Sequence, residues 1–331
     1  MKKKIVISLI VLVAAVLALG ALIAVQSSEF QDGVKFSDDM TTRSAYYPVN
    51  GGMITVSPDV RMGFDSASPV STITRRDLEK LKAAGMDVDS VSTIYVGFDS
   101  ERQLAFRNRI YQLSIPAPAF EVDPTRSQCT AFSVDYTTPA RIENVRFLLS
   151  DDGLSRLGMD FIERFAVEYS WATGMIILHD KVPDGFQKFC DIEAEISPVD
   201  VVLSPAPQYF LAMEVDSRPN NFLIDTSLSR ITINVPMEDG VRARVSYPDP
   251  YRFRGAYVDA SREPDQLVLI GGRAKYQDIH RSPAKDKGEG YFCNPLNMFV
   301  NDVVLDFPGK TFYIRRGSRM LHNPGFGLPA E

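Results

Sequence analysis

Histidine and cysteine are scarce in this chain, three of each in 331 residues. His179, His280 and His322 lie far apart, and Cys129, Cys190 and Cys293 match no zinc-motif spacing. Neither a metal centre nor a histidine-based triad is indicated, and no cofactor is expected. For a body outside the cytoplasm, one disulfide and one leftover thiol fit the count, and the sequence does not choose the pair. An excess of positive charge is also missing. The net charge is −6, from 36 basic and 42 acidic residues, and Lys2, Lys3 and Lys4 supply three of the basic ones. That balance excludes nucleic acid as the main partner. Basic residues between Arg273 and Lys287 are interleaved with Asp278 and Asp286 and read as a solvated loop. With 45% hydrophobic and 24% charged residues, the composition is globular and suits one to three domains.

Long apolar runs are absent but for one. Ile5 to Val25 is a 21-residue run interrupted only by Ser8 and Gly20, directly after Lys2–Lys4. As a helix it would span roughly 31 Å, close to a bilayer core of about 30 Å. A cleaved signal has a shorter apolar region of about 7–15 residues, so the length favours an uncleaved anchor. The lysines would stay cytoplasmic and the body would lie on the extracytoplasmic face. Residues 26–45 are polar and weakly periodic and are expected to be a tether.

From Tyr46 the texture is that of short strands, Met53 to Val56 and Val60 to Phe64, with turns at Gly51-Gly52 and Pro58-Asp59. An aspartate motif follows, Met62-Gly63-Phe64-Asp65-Ser66-Ala67-Ser68, returning to Ile73. Thr74 then reads as a helix N-cap with Asp77 three residues on, and Gly85 as its end. Phe222-Leu223-Ile224-Asp225-Thr226-Ser227 repeats the pattern 160 positions later, delivered by a hairpin from Tyr209. The two motifs align with one residue of slippage. The segments ending each half also align: Phe161 with Phe299, Val167-Glu168-Tyr169 with Leu305-Asp306-Phe307, and Gly158 with Leu296. A motif and an ending repeated in the same order point to two related lobes with Asp65 and Asp225 facing each other. Taken singly, an aspartate in a turn after a strand is usually a local backbone acceptor. Asp160 reads as a surface or capping acid, Asp306 as a hairpin acid, and Tyr95 and Trp171 as packing residues.

These residues resemble the retropepsin and pepsin-like aspartic peptidases. Their pattern is an apolar strand, Asp-Thr/Ser-Gly, a small residue and a return strand, followed later by an apolar pair with glycine before a short helix, as in Leu157-Gly158-Met159-Asp160-Phe161. The chain departs from it at Ala67 and Ser227, which stand where the family has glycine, and at Pro69. The resemblance implies a mostly β fold of two pseudo-symmetric β-barrel lobes, residues 46–182 and 208–316, with a linker at 183–207 and a loose tail at 317–331. It implies Asp65 and Asp225 as the catalytic pair, Ser66 and Thr226 as hydroxyls bracing the two loops, and Ala67 and Ser227 as further loop supports. A hairpin near Thr93 to Arg102 would cover the cleft. The expected function is a membrane-anchored aspartic endopeptidase, monomeric, acting on a peptide or protein substrate; the alternative is a catalytically silent relative binding peptide or a partner protein in the same cleft.

Overall fold

The computed structural model describes residues 13, 30–91, 94–100, 102–122, 132–150, 153–170, 173–195, 203–204, 206–215, 218–228, 290–297 and 302–315, and strand segments 232–234, 242–246, 256–259, 266–269 and 277–278. The expected anchor lies outside the described residues except for Val13, as do Cys129, Trp171, Phe299 and the expected tail. Among the described residues no helix is long and apolar enough to cross a membrane.

The fold is mostly β. Ser44–Asn50 and Met53–Ser57 form a hairpin through Gly51 and Gly52, both at positive φ (60° and 74°). A two-residue turn with two left-handed positions matches the strand twist, and glycine adopts it without steric cost. Val60–Phe64 follows and leads into Asp65; Thr72–Thr74 returns from the motif. Thr74 caps the helix Arg75–Ala83 as expected: its Oγ1 accepts from the Asp77 amide at 3.2 Å. Gly85, at φ +80°, closes that helix by donating to the Lys82 carbonyl.

The short strand Arg156–Leu157 lies parallel to Val60–Phe64, with Leu157 opposite Phe64, and Arg156 pairs antiparallel with Thr72. The second half repeats this layout. Gly290–Cys293 lies parallel to Arg218–Ile224, with Cys293 opposite Ile224, and Phe292 pairs antiparallel with Thr232. The aspartate motifs therefore superpose at a constant offset of 160 residues, without slippage.

The halves share a six-stranded run within the largest sheet. Its order is Phe186–Asp191, Thr311–Arg315, Val303–Asp306, Ala166–Ser170, Met175–His179 and Ser44–Asn50, so the hairpin of one half mirrors the hairpin of the other. Gly174 and Lys310 occupy equivalent turn positions, both left-handed (φ 64° and 49°), and the pairs Ser170↔Met175 and Asp306↔Thr311 close the two turns. These equivalences, like Leu157 with Cys293, are 136 residues apart. The alignment of the endings expected from sequence is thus displaced by two residues, and the counterpart of Gly158 is Asn294, not Leu296. With this offset Glu168 and Val304 are equivalent, and they face each other across the central strand pair.

Three further expectations are corrected. The sheets are open: the fourteen-stranded one runs from Phe186–Asp191 to Val88–Val91 without closing into a barrel. Much of the expected tether is folded, because Phe30, Phe36 and Met40 are buried and Lys35–Phe36 pairs with Arg141–Ser150. The expected linker contains the strands Phe186–Asp191 and Glu193–Glu195, anchored by buried Phe189 and Ile192. Cys190 and Cys293 are free thiols.

Glu168 ties the two halves electrostatically. His179 Nε2 lies 2.8 Å from its Oε2, and Arg315 Nη2 of the other half donates to its Oε1 at 3.2 Å. Ser44 Oγ is 2.8 Å from His179 Nδ1. Glu168 is 4% exposed, so deleting its carboxylate strips the buried His179 of its partner and Arg315 of one of its two acids, Asp302 remaining. Glu168→Ala is expected to lower unfolding free energy by about 2–3 kcal/mol, discounted for the partial exposure of Arg315. Glu168→Gln, which retains the volume and one hydrogen bond, should cost less in the same denaturant titration.

Candidate active site

Each aspartate is placed by its backbone before its side chain does anything. The Asp65 amide donates to the Leu157 carbonyl at 3.0 Å, and the Asp225 amide donates to the Cys293 carbonyl at 2.8 Å. Each then turns back on itself: the Ser68 amide donates to the Asp65 carbonyl and the Leu228 amide to the Asp225 carbonyl, both at 3.2 Å. Ala67 and Ser227 donate their amides to Asp65 Oδ1 and Asp225 Oδ1, both at 3.1 Å. The carboxylates are therefore oriented by their own turns, as short polar side chains in turns commonly are.

The two loops meet through Ser66 and Thr226. The Ser66 amide donates to Thr226 Oγ1, and the Thr226 amide donates to Ser66 Oγ, both at 3.0 Å. Ser66 Oγ in turn donates to the Ile224 carbonyl, and Thr226 Oγ1 to the Phe64 carbonyl, both at 2.7 Å. A hydroxyl carries one donor and two acceptor sites, so each side chain accepts from the opposite loop and donates to the last carbonyl of the strand leading into that loop. Both residues are buried. Asp65 and Asp225, each one residue before a member of this brace, are thereby fixed on opposing loops at one place.

The two carboxylates differ in surroundings. Asp225 is fully buried and its Oδ1 also accepts from Ser227 Oγ. The Asp65 side chain is 18% exposed, and Arg156 Nε stands 3.9 Å from its Oδ2. Neither Ser227 Oγ nor Arg156 follows from a motif. Ser227 sits where the resemblance led us to expect glycine, and its hydroxyl becomes an extra donor to the carboxylate. Within and just beyond the stretch expected to hold a hairpin, Tyr95–Phe98 pairs antiparallel with Leu104–Arg107. Tyr95 packs edge-on against Phe30 with centroids 5.2 Å apart, as a packing residue.

Two residues that support the loops escaped the sequence. Asn294 donates through Nδ2 to the Thr226 carbonyl at 3.0 Å and the Leu228 carbonyl at 2.7 Å. In the first half the corresponding carbonyl, that of Ser68, receives the Met159 amide instead. Nothing in Phe292-Cys293-Asn294 resembles Arg156-Leu157-Gly158, so no pattern could have flagged it. Gly158 itself is required by space: a Cβ there would lie 2.6 Å from the Val70 carbonyl carbon. The second missed residue is Asp160, expected at the surface and in fact 1% exposed. It accepts from Ser71 Oγ at 2.8 Å and from Gln31 Nε2 at 2.7 Å. Burial pushes its carboxyl up to about 6, opposed by those hydrogen bonds. Asp306 is a hairpin acid as expected, accepting from the Gly309 amide at 3.0 Å. Among the described residues no group of histidine, cysteine and acidic side chains could hold a metal ion.

No family model and no curated protein matches the chain. Solved structures that resemble it include conglutin gamma, a basic 7S globulin of lupine seeds, at 11% identity over 86% of this chain and 97% of that one, with a TM-score of 0.39. Basic 7S globulin of soybean is 8% identical over 87% of this chain and 98% of its own, with a TM-score of 0.40. An aspartic proteinase of Irpex lacteus is 10% identical over 84% of this chain and 99% of its own, also with a TM-score of 0.40. Likenesses this weak leave the functional assignment to the hydrogen bonds and strand pairings of the chain itself.

Ser66→Ala and Thr226→Val each strip partners from a buried amide and a buried carbonyl. Each is expected to cost about 2–4 kcal/mol of stability. The double variant should cost less than the sum, with a coupling of about 1–3 kcal/mol in a double-mutant cycle. Additive losses would show that the two hydroxyls do not act as one unit. For Asp160 the folded value, about 6, exceeds the reference 3.8. Between those values the native protein binds more protons than the unfolded chain, so stability falls as pH rises. A decline on the order of 3 kcal/mol from pH about 4 to about 6 is expected from this group. Asp160→Asn should flatten that slope in pH-dependent denaturant titrations.

Proposed function

We propose that this chain is a membrane-anchored aspartic endopeptidase of the single-chain, two-lobed type, hydrolysing peptide bonds with water activated between Asp65 and Asp225. The observation that carries it is the reciprocal Ser66–Thr226 brace, which holds two equivalent aspartate loops against each other with matching distances on both sides. Amide hydrolysis without a metal needs a base for water and an acid for the carbonyl oxygen. Two facing carboxylates supply both roles when one acts as the base and the other as the acid. The ionised member takes a proton from water as it attacks the scissile carbonyl, and the protonated member donates to the carbonyl oxygen. The hairpin Tyr95–Phe98 and Leu104–Arg107 would hold an extended peptide through backbone hydrogen bonds. The apolar run Ile5 to Val25 supports an anchor that keeps the body extracytoplasmic.

One observation favours the second reading, a silent cleft that binds peptide or a partner protein without cutting it. Arg156, 3.9 Å from Asp65 Oδ2, partly balances the carboxylate whose charge the chemistry uses. The two are separated by activity. The full chain is expected to cleave members of a broad peptide library, best at acidic pH, and to be blocked by a statine-type transition-state analogue. Asp65→Asn and Asp225→Asn should each lower kcat by about 10³-fold or more while leaving the thermal transition nearly in place. No cleavage by the wild-type chain anywhere from pH 3 to 8 would falsify the peptidase assignment in favour of binding.

A further inference from the structure

We propose that Arg156 makes the cleft selective for peptides bearing a carboxylate side chain on one side of the bond held by the two aspartates. This rests on the shared cleft of both readings above, and it holds whether or not the bond is cut.

The proposal comes from a broken symmetry. Arg156 and Phe292 are equivalent positions: Arg156 pairs with Gly63 and Thr72, and Phe292 with Leu223 and Thr232. Each immediately precedes the residue whose carbonyl anchors an aspartate amide, Leu157 or Cys293. Leu157 and Cys293 are buried in the core, at 1% and 0% exposure. Because successive side chains on a strand point to opposite faces, Arg156 and Phe292 share the other face, one on each half. One is a cation beside Asp65; the other is an apolar ring that is buried, at 8% exposure.

The cation is positioned to meet a ligand. Its Nε lies 3.9 Å from Asp65 Oδ2, and its Nη1 donates to Ser100 Oγ at 3.1 Å, at the tip of the hairpin. The guanidinium therefore spans the gap between the first aspartate loop and the hairpin, where an extended peptide would run. Its side chain is 16% exposed, so the charge is largely but not wholly withdrawn from water. A dyad of carboxylates repels an acidic side chain laid beside it; a guanidinium reverses that repulsion locally. A guanidinium carries five donors, so it can take a ligand carboxylate in addition to facing Asp65 and Ser100. The opposite half offers no such charge at the equivalent position, so one peptide direction is preferred over the other.

The test uses matched peptides that differ only by Glu or Gln, scanned along the positions flanking the central bond. kcat/KM is measured on the wild-type full chain, and Kd on the Asp225→Asn full chain. At one position the Glu peptide is expected to be favoured about tenfold in both measurements, the lower end for a charge-assisted hydrogen bond at a partly exposed site. Arg156→Gln should bring that ratio to about one, and Arg156→Glu should transfer the preference to a Lys peptide. Equal treatment of Glu and Gln by the wild-type chain, or a ratio that survives Arg156→Gln, overturns the inference. Cleavage without any acidic preference sinks the inference and leaves the peptidase assignment standing. A tenfold Glu preference in Kd with no cleavage does the reverse, and absence of both binding and cleavage removes both.

Discussion

Four hydrogen bonds made by Ser66 and Thr226, two to each other and two to the carbonyls of Ile224 and Phe64, hold this molecule's centre together. They satisfy two buried amides, two buried carbonyls and both hydroxyls, and every one of them crosses from one half to the other. Left unpaired, each such group would cost about 1–3 kcal/mol. Neither aspartate loop can therefore keep its conformation without its counterpart, and the position of each carboxylate is a property of the pair. The Glu168 network and the mirrored hairpins of the central sheet do the same work further out, joining strands of the two halves behind the loops.

Around this symmetric centre the halves have diverged in how they fill the space beneath their loops. The first places a buried carboxylate, Asp160, under its loop and clamps it with Ser71 and Gln31. The second has Leu296 at the equivalent position, 2% exposed, and supports its loop with the Asn294 side chain. A polar solution binds Gln31 and the N-terminal residues into the first half and makes it sensitive to pH. A hydrocarbon solution carries no such sensitivity. The same divergence recurs at the equivalent strand positions, where the first half has Arg156 beside Asp65 and the second has the buried Phe292.

Parts of this were legible in advance for clear reasons. Thr74, Asp77 and Gly85 act through neighbours in sequence, so their helix could be read locally. The Asp65 and Asp225 motifs were found because both keep the same strand, turn and hydroxyl chemistry. The alignment of the endings failed by two residues because side chains on a strand alternate with a period of two. A shift of two leaves every inward residue inward, so hydrophobicity cannot detect it. Only the left-handed turn residues Gly174 and Lys310 and the strand registers resolve it. Asp160 was misplaced because acids are usually exposed, and its partners Gln31 and Ser71 lie 129 and 89 residues away. The tether was misread because Phe30, Phe36 and Met40 are too few and too irregularly spaced to form a periodic pattern.

What the sequence determined by itself was a β-rich chain with two repeated acidic turns, because local spacing and turn chemistry are enough to define strands, caps and loops. What only the tertiary structure decided was that the turns meet, which residues brace them, and that Arg156 stands beside Asp65 where the other half has the buried Phe292. Those facts depend on contacts between residues up to 162 positions apart, and the register that brings them together is fixed by hydrogen bonds that no single stretch of the chain can make alone.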